Sequence, residues 1–194
     1  MKTRGVLLII GAGGHGRAVA DAAELSGNWS GVIFADDGYP RVERAVAWPV
    51  VASLASLVAL RERCVAAIVA IGNQEIRARL QAEIVALDIP VATVIHPSAW
   101  VSRHAEVGEG STIMAGAVVG ACAKLGRGVI VNANATADHD TVLEDFAHLG
   151  VGVQLAGGVH IGTMAWLQAG ACAGYRVRVP DGAVVQPGER LIAN

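Results

Sequence analysis

Hydrophobic positions along the chain follow two different rhythms. Up to about residue 96, short aliphatic runs alternate with helical spacings. Val6–Ile10 and residues 32–34, 66–71 and 91–95 read as four buried strands. Between them, residues 53–63 read as a helix. A second helix starts after Asn73, which is placed to cap it, and carries Ile76, Leu80, Ile84 and Leu87 on one stripe. Strands alternating with helices predict a small parallel sheet with crossover helices, a half-sized α/β unit over residues 1–96.

From Val101 onward the period is six. Of the fifteen residues taken every sixth place from Val101 to Val185, thirteen are Val, Ile or Leu, and Ala137 and Ala173 are the exceptions. Four places after each of the first fourteen comes a small or β-branched residue, as at Ala105, Ser111, Ala117 and Val129. This rhythm predicts a solenoid of short parallel strands over residues 97–194, joined by tight turns, with the aliphatic residue stacked inward on every rung.

Composition then narrows the class. The 194 residues are 53% apolar, 4% aromatic and 16% charged, with 24 glycines, a net charge of −2 and a mean hydropathy of +0.47. A disordered tail and a collagen repeat are excluded. Near-neutral charge without a basic run argues against a nucleic-acid partner. Residues 146–175 contain no Asp, Glu, Lys or Arg, and by length they suit a membrane span. Their hexad rhythm and interspersed glycines instead describe solenoid turns, so no membrane insertion is expected. Three scattered cysteines, Cys64, Cys122 and Cys172, with no CxxC pair, read as reduced thiols in a cytoplasmic protein.

Candidate chemistry lies at two places. Gly11, Gly13 and Gly16 satisfy GxGxxG after the first strand and before a helix, with Gly14 and His15 inside the loop. Asp36 follows twenty residues after Gly16, beside Asp37. Such a loop lets backbone approach a phosphate at a helix N-terminus while the acid binds ribose hydroxyls. An NAD-dependent oxidoreductase is one reading. About ninety residues are short of a full dinucleotide fold, however, and favour a single nucleotide diphosphate, such as the handle of an activated sugar. The second place is the rung from Ala137 to Val142, where Asp138, His139 and Asp140 follow a reduced inward residue. A carboxylate beside His139 can fix its tautomer and raise its basicity for general-base work. If three hexads close one coil, residues eighteen apart stack at roughly 4.8 Å. Gly157 then lies beside His139, leaving room for a thioester and offering a backbone N–H to an oxyanion. Asn132 is a polar candidate for orienting the acceptor.

The hexads resemble the left-handed parallel β-helix of the hexapeptide-repeat acyltransferases, with three hexads to a triangular coil and hence about five coils. The loop from Gly11 to Gly16, Phe34-Ala-Asp-Asp37, Ile71-Gly-Asn73, Ile95-His-Pro97 and the hexads, in that order, resemble the sialic acid O-acetyltransferase and bacillosamine/perosamine N-acetyltransferase family. The resemblance implies transfer of acetyl from acetyl-CoA to the amine of a nucleotide-linked amino sugar. O-acetylation of a sialic-acid-like sugar is the alternative. It also implies His139 as base with Asp140 as its partner, His148 near the thioester, and a homotrimer with CoA between solenoids. Gly11, Gly13, Gly14, His15, Gly16, Asp36, Asp37, Asn73 and Asn132 are the candidate substrate contacts. No metal is expected, because the H-x4-H spacing of zinc β-helix enzymes is missing.

Overall fold

In the computed structural model, which describes residues 5–193, the run Val6–Ile10 forms strand β1, and helix α1 (Gly14–Ser26) follows it directly. The unit continues through β2 (Gly31–Ala35), β3 (Arg44–Ala45), β4 (Trp48–Ala52), β5 (Ala66–Val69) and α2 (Gln74–Ala86). The sheet order is β3-β4-β2-β1-β5, parallel except for the pairing of β3 with β4. Leu7, Leu8, Ile9 and Ile10 are fully buried, as expected of a central strand covered on both faces.

Three details of this unit depart from the hydrophobic pattern. β4 carries Pro49, which interrupts the run that would have announced a strand. Residues 91–95 do not extend the sheet: Val91 makes a single parallel bridge to Ala67, and Pro90 has no N–H with which to continue a ladder. Residues 53–63 contain a 3₁₀ helix, Leu54–Arg63, kinked at Ser56. α2 does start behind Asn73, whose side-chain oxygen accepts from Ile76 N–H at 2.9 Å. Its buried face, however, is Arg77, Leu80, Gln81 and Ile84, and Ile76 is exposed.

The chain divides into two compact units, one ending at Val94 and the other beginning at Ile95. Seventeen two-residue strands, six residues apart, run from Val94–Ile95 to Arg190–Leu191. They form three parallel sheets of six, five and six strands, so three hexads make one coil. Paired residues are eighteen apart throughout, as in Thr136↔Gln154 and Ala137↔Leu155. The inward column, including Ile113, Val131, Leu149 and Leu167, forms a continuous core. The segment 146–175 is coiled into this repeat, and no helix of the described residues is long and apolar enough to cross a membrane.

Each corner turns at the third residue after the inward aliphatic, which takes a left-handed backbone from Gly110 through Gly188. Glycine suits that conformation best, and Asn and Asp tolerate it better than other residues. One corner places Asp140 there, at φ 58°.

Candidate active site

The corner Asp138–His139–Asp140 is held from both sides. Asp140 N–H donates to Ala121 O at 2.9 Å, and His139 O accepts from Gly158 N–H at 2.9 Å. Within the turn, Asp138 Oδ1 accepts from His139 N–H at 2.7 Å. The left-handed backbone at Asp140 brings its carboxylate to His139 Nδ1 at 2.7 Å. A carboxylate only accepts, so Nδ1 carries the proton and Nε2 presents its lone pair. The hydrogen bond that His139 Nδ1–H donates to Asp140 is the chief cause that lifts the His139 pKa above its ordinary value, with the charges of Asp138 and Asp140 adding to it. The ring is half-exposed.

Gly157 lies one coil beyond His139. A Cβ built there would collide with Cε1 and Nε2 of the imidazole and would stand 2.9 Å from the Tyr175 hydroxyl. Tyr175 is two coils on, and its hydroxyl meets His139 Nε2 at 2.6 Å across the space that Gly157 leaves empty. The rings are tilted at 57°, with centroids 5.7 Å apart. The room expected for a thioester is therefore filled by a phenol in the free chain. Ala156 N–H and Gly158 N–H donate to Ala173 O and His139 O, while among the described residues no protein acceptor meets Gly157 N–H. Alongside this corner runs a groove of about 450 Å³ lined by Thr136, Asp138, Gln154, Cys172 and Arg190 among others.

In the N-terminal unit the glycines divide their work. Gly11 has φ 100°, a conformation closed to most side chains, and a Cβ on Gly16 would strike Gly11 O. Gly13 and Gly14 have open space where a Cβ would stand, so backbone is bare at the N-terminus of α1, which has no side-chain cap. The turn, the close packing and the bare backbone match the roles that glycines divide among themselves in phosphate-binding loops. Asp36 accepts from Ala12 N–H through Oδ2 and from Gly38 N–H through Oδ1, both at 2.8 Å. It thus ties the loop to the end of β2. Asp37 accepts from Leu54 N–H at 3.1 Å. His15 is held neutral, its pKa lowered to about 4 by burial and then by the charge of Arg77. Arg77 is fully buried and donates to Ile71 O and Gly72 O at 2.9 and 2.8 Å. Burial lowers its pKa only to about 10, which leaves it charged at neutral pH.

Several expected residues lie elsewhere. His148 is nine residues, half a coil, from His139, so it falls on the side opposite that corner, buried and stacked on Trp166 at 5.7 Å. One chain does not bring it to the base. Asn132 sits in the neighbouring corner and turns its Oδ1 onto Ala133 N–H at 2.8 Å. The side-chain oxygen of Asn73 is engaged in capping α2. Two residues escaped the sequence reading. Tyr175 could have been found by applying the eighteen-residue stacking rule twice. Arg77 left no signal, because a lone arginine in a helix reads as surface.

A glycine-rich strand-to-helix loop in one unit and a hexapeptide β-helix with a carboxylate-paired histidine at a corner of the other define a hexapeptide acyltransferase type of architecture. Residues 6–84 match the PglD N-terminal domain family. The acetyltransferase domain of PglB from Neisseria gonorrhoeae, solved with acetyl coenzyme A, is 36% identical over 97% of this chain and 93% of that one, with a TM-score of 0.91. A histidine-to-alanine variant of GDP-perosamine N-acetyltransferase from Caulobacter crescentus, solved with CoA and GDP-perosamine, is 32% identical over 97% and 94%, with a TM-score of 0.83. UDP-N-acetylbacillosamine N-acetyltransferase of Bacillus subtilis is 30% identical over 112 residues, 55% of this chain. That match spans 50% of the curated relative's length. The chain belongs to the hexapeptide-repeat sugar N-acetyltransferase family, and its solenoid is the left-handed β-helix of that family.

Proposed function

We propose that this protein transfers acetyl from acetyl-CoA to the amino group of a nucleotide-linked amino sugar. The observation that carries the reading is the His139 corner: a base with its Nδ1–H fixed by Asp140 and its Nε2 turned to the space beside Gly157, which in the free chain holds the displaceable Tyr175 hydroxyl. Nε2 takes a proton from the amine as nitrogen attacks the thioester carbonyl. The C–S bond then breaks, and the imidazolium can return that proton to the departing thiolate. Gly157 N–H is the candidate donor to the oxyanion. No acyl-enzyme is needed, because two bound reactants in line with one base supply the rate.

The bare amides of Gly13 and Gly14, with neutral His15 beside them, suit the nucleotide diphosphate; Asp36 holds the loop and keeps acceptor capacity for a ribose hydroxyl. The groove beside Asp138 falls in the volume range of small-ligand sites and suits the pantetheine arm. A homotrimer, with CoA between neighbouring solenoids, fits the three flat sheets of the β-helix. A cytoplasmic setting fits the three free cysteines. The oxidoreductase alternative finds no support, since the similar proteins are acetyltransferases. Calorimetry with acetyl-CoA and with NADH separates the two: the proposal requires the first to bind and the second not to. Assaying UDP-, GDP- and dTDP-linked 4-amino sugars beside free sialic acid then identifies the acceptor, and acetylation of sialic acid alone would contradict the amine assignment.

A further inference from the structure

We infer that Tyr175 is an internal cap on the catalytic base, which keeps His139 from activating water until the acceptor amine displaces the phenol. The inference rests on the acetyltransferase reading above. A neutral imidazole has one lone pair at Nε2, and here the Tyr175 hydroxyl occupies it at 2.6 Å. While that hydrogen bond stands, neither an amine nor a water can give Nε2 a proton, so the phenol must leave before acetyl transfer can begin. The side chain is free to do so: Tyr175 is 55% exposed, and among the described residues its hydroxyl is held by the histidine alone. It reaches across a full coil only because residue 157 has no side chain.

An uncapped histidine next to a thioester is also a hydrolase. Nε2 would accept a proton from water as the water oxygen attacks the carbonyl carbon. The C–S bond would break, the proton would pass to the thiolate, and the products would be acetate and CoA. A small, ubiquitous nucleophile needs no binding site, whereas a sugar amine brings the binding energy of its nucleotide to displace Tyr175. The cap thus favours the acceptor over water by making both compete with an intramolecular hydrogen bond.

The test uses the full chain with Tyr175→Phe, Tyr175→Ala and the double variant Tyr175→Phe/His139→Ala. Thiol release from acetyl-CoA is followed without acceptor, and the ratio of acetate to acetylated sugar is followed with acceptor. Acetyl-CoA calorimetry on each variant verifies that the site is folded. At least a fivefold rise in acceptor-free hydrolysis is expected in both single variants, with a matching rise in the acetate ratio, and both are lost in the double variant. A rise below fivefold in both single variants, or one that survives removal of His139, overturns the inference. Failure of the unaltered protein to bind acetyl-CoA or acetylate any amino sugar overturns the underlying reading instead.

Discussion

Two adjacent glycines should respond to the same substitution in opposite ways. In Gly157→Ala the new methyl collides with Cε1 and Nε2 of His139 and crowds the Tyr175 hydroxyl at 2.9 Å. Carbon contacts relax only near 3.5 Å, so the imidazole must retreat by roughly 1 Å. The retreat breaks the 2.7 Å bond that Asp140 makes to Nδ1. A misplacement of about 1 Å costs on the order of 100-fold in rate, or about 2.7 kcal/mol of barrier. Stability should change little, because the displaced atoms are the ends of two solvent-exposed side chains and Gly157 is not in a left-handed conformation. Gly158 has φ 68° and a Cβ there meets only Arg176 Cγ at 3.2 Å. Alanine at 158 adds about 1–2 kcal/mol of left-handed strain, partly offset by a less flexible unfolded chain. The net loss is about 1 kcal/mol, or roughly 2–4 °C in Tm, with activity kept within a few-fold. Steady-state acetyl transfer and thermal unfolding on both variants decide the matter. Full activity in Gly157→Ala, or a larger activity loss in Gly158→Ala, would refute the geometry.

Other outcomes follow from the same contacts. The Asp140 hydrogen bond raises the His139 pKa, so the acid limb of kcat/KM lies above the ordinary histidine value of 6.5 and activity falls as pH drops through it. In Asp140→Ala that limb moves to lower pH and the rate falls on the order of 100-fold, read from a pH–rate profile. His15 shifts the other way. The unfolded chain takes up its proton near pH 6.5, the folded chain only near pH 4. Its stabilising contribution is complete above pH 6.5 and declines by about 3 kcal/mol as pH falls to 4. His15→Asn should therefore flatten the fall of Tm between those pH values.

The hexad solenoid was open to reading because its period is strict and its core is one column deep. An eighteen-residue offset converts directly into a pair, and that offset placed Gly157 beside His139. The repeat even begins earlier than the aliphatic column suggests, at Val94–Ile95. The same arithmetic explains why His148 lies away from the base, since nine residues are half a coil. The α/β unit was harder. Pro49 hides β4, and the face of α2 turned on a buried guanidinium that hydrophobic periodicity cannot register. Side-chain direction also escaped: that the phenol of Tyr175 would bend across Gly157 to Nε2 follows from register only once the empty space at 157 is recognised.

Base catalysis of acetyl transfer by His139 is measured most directly in His139→Ala. With a nucleotide-linked amino sugar and acetyl-CoA, the variant should bind both as tightly as the unaltered chain, by calorimetry, while kcat falls by 100-fold or more. Turnover within a few-fold of the unaltered chain would contradict a catalytic role for His139.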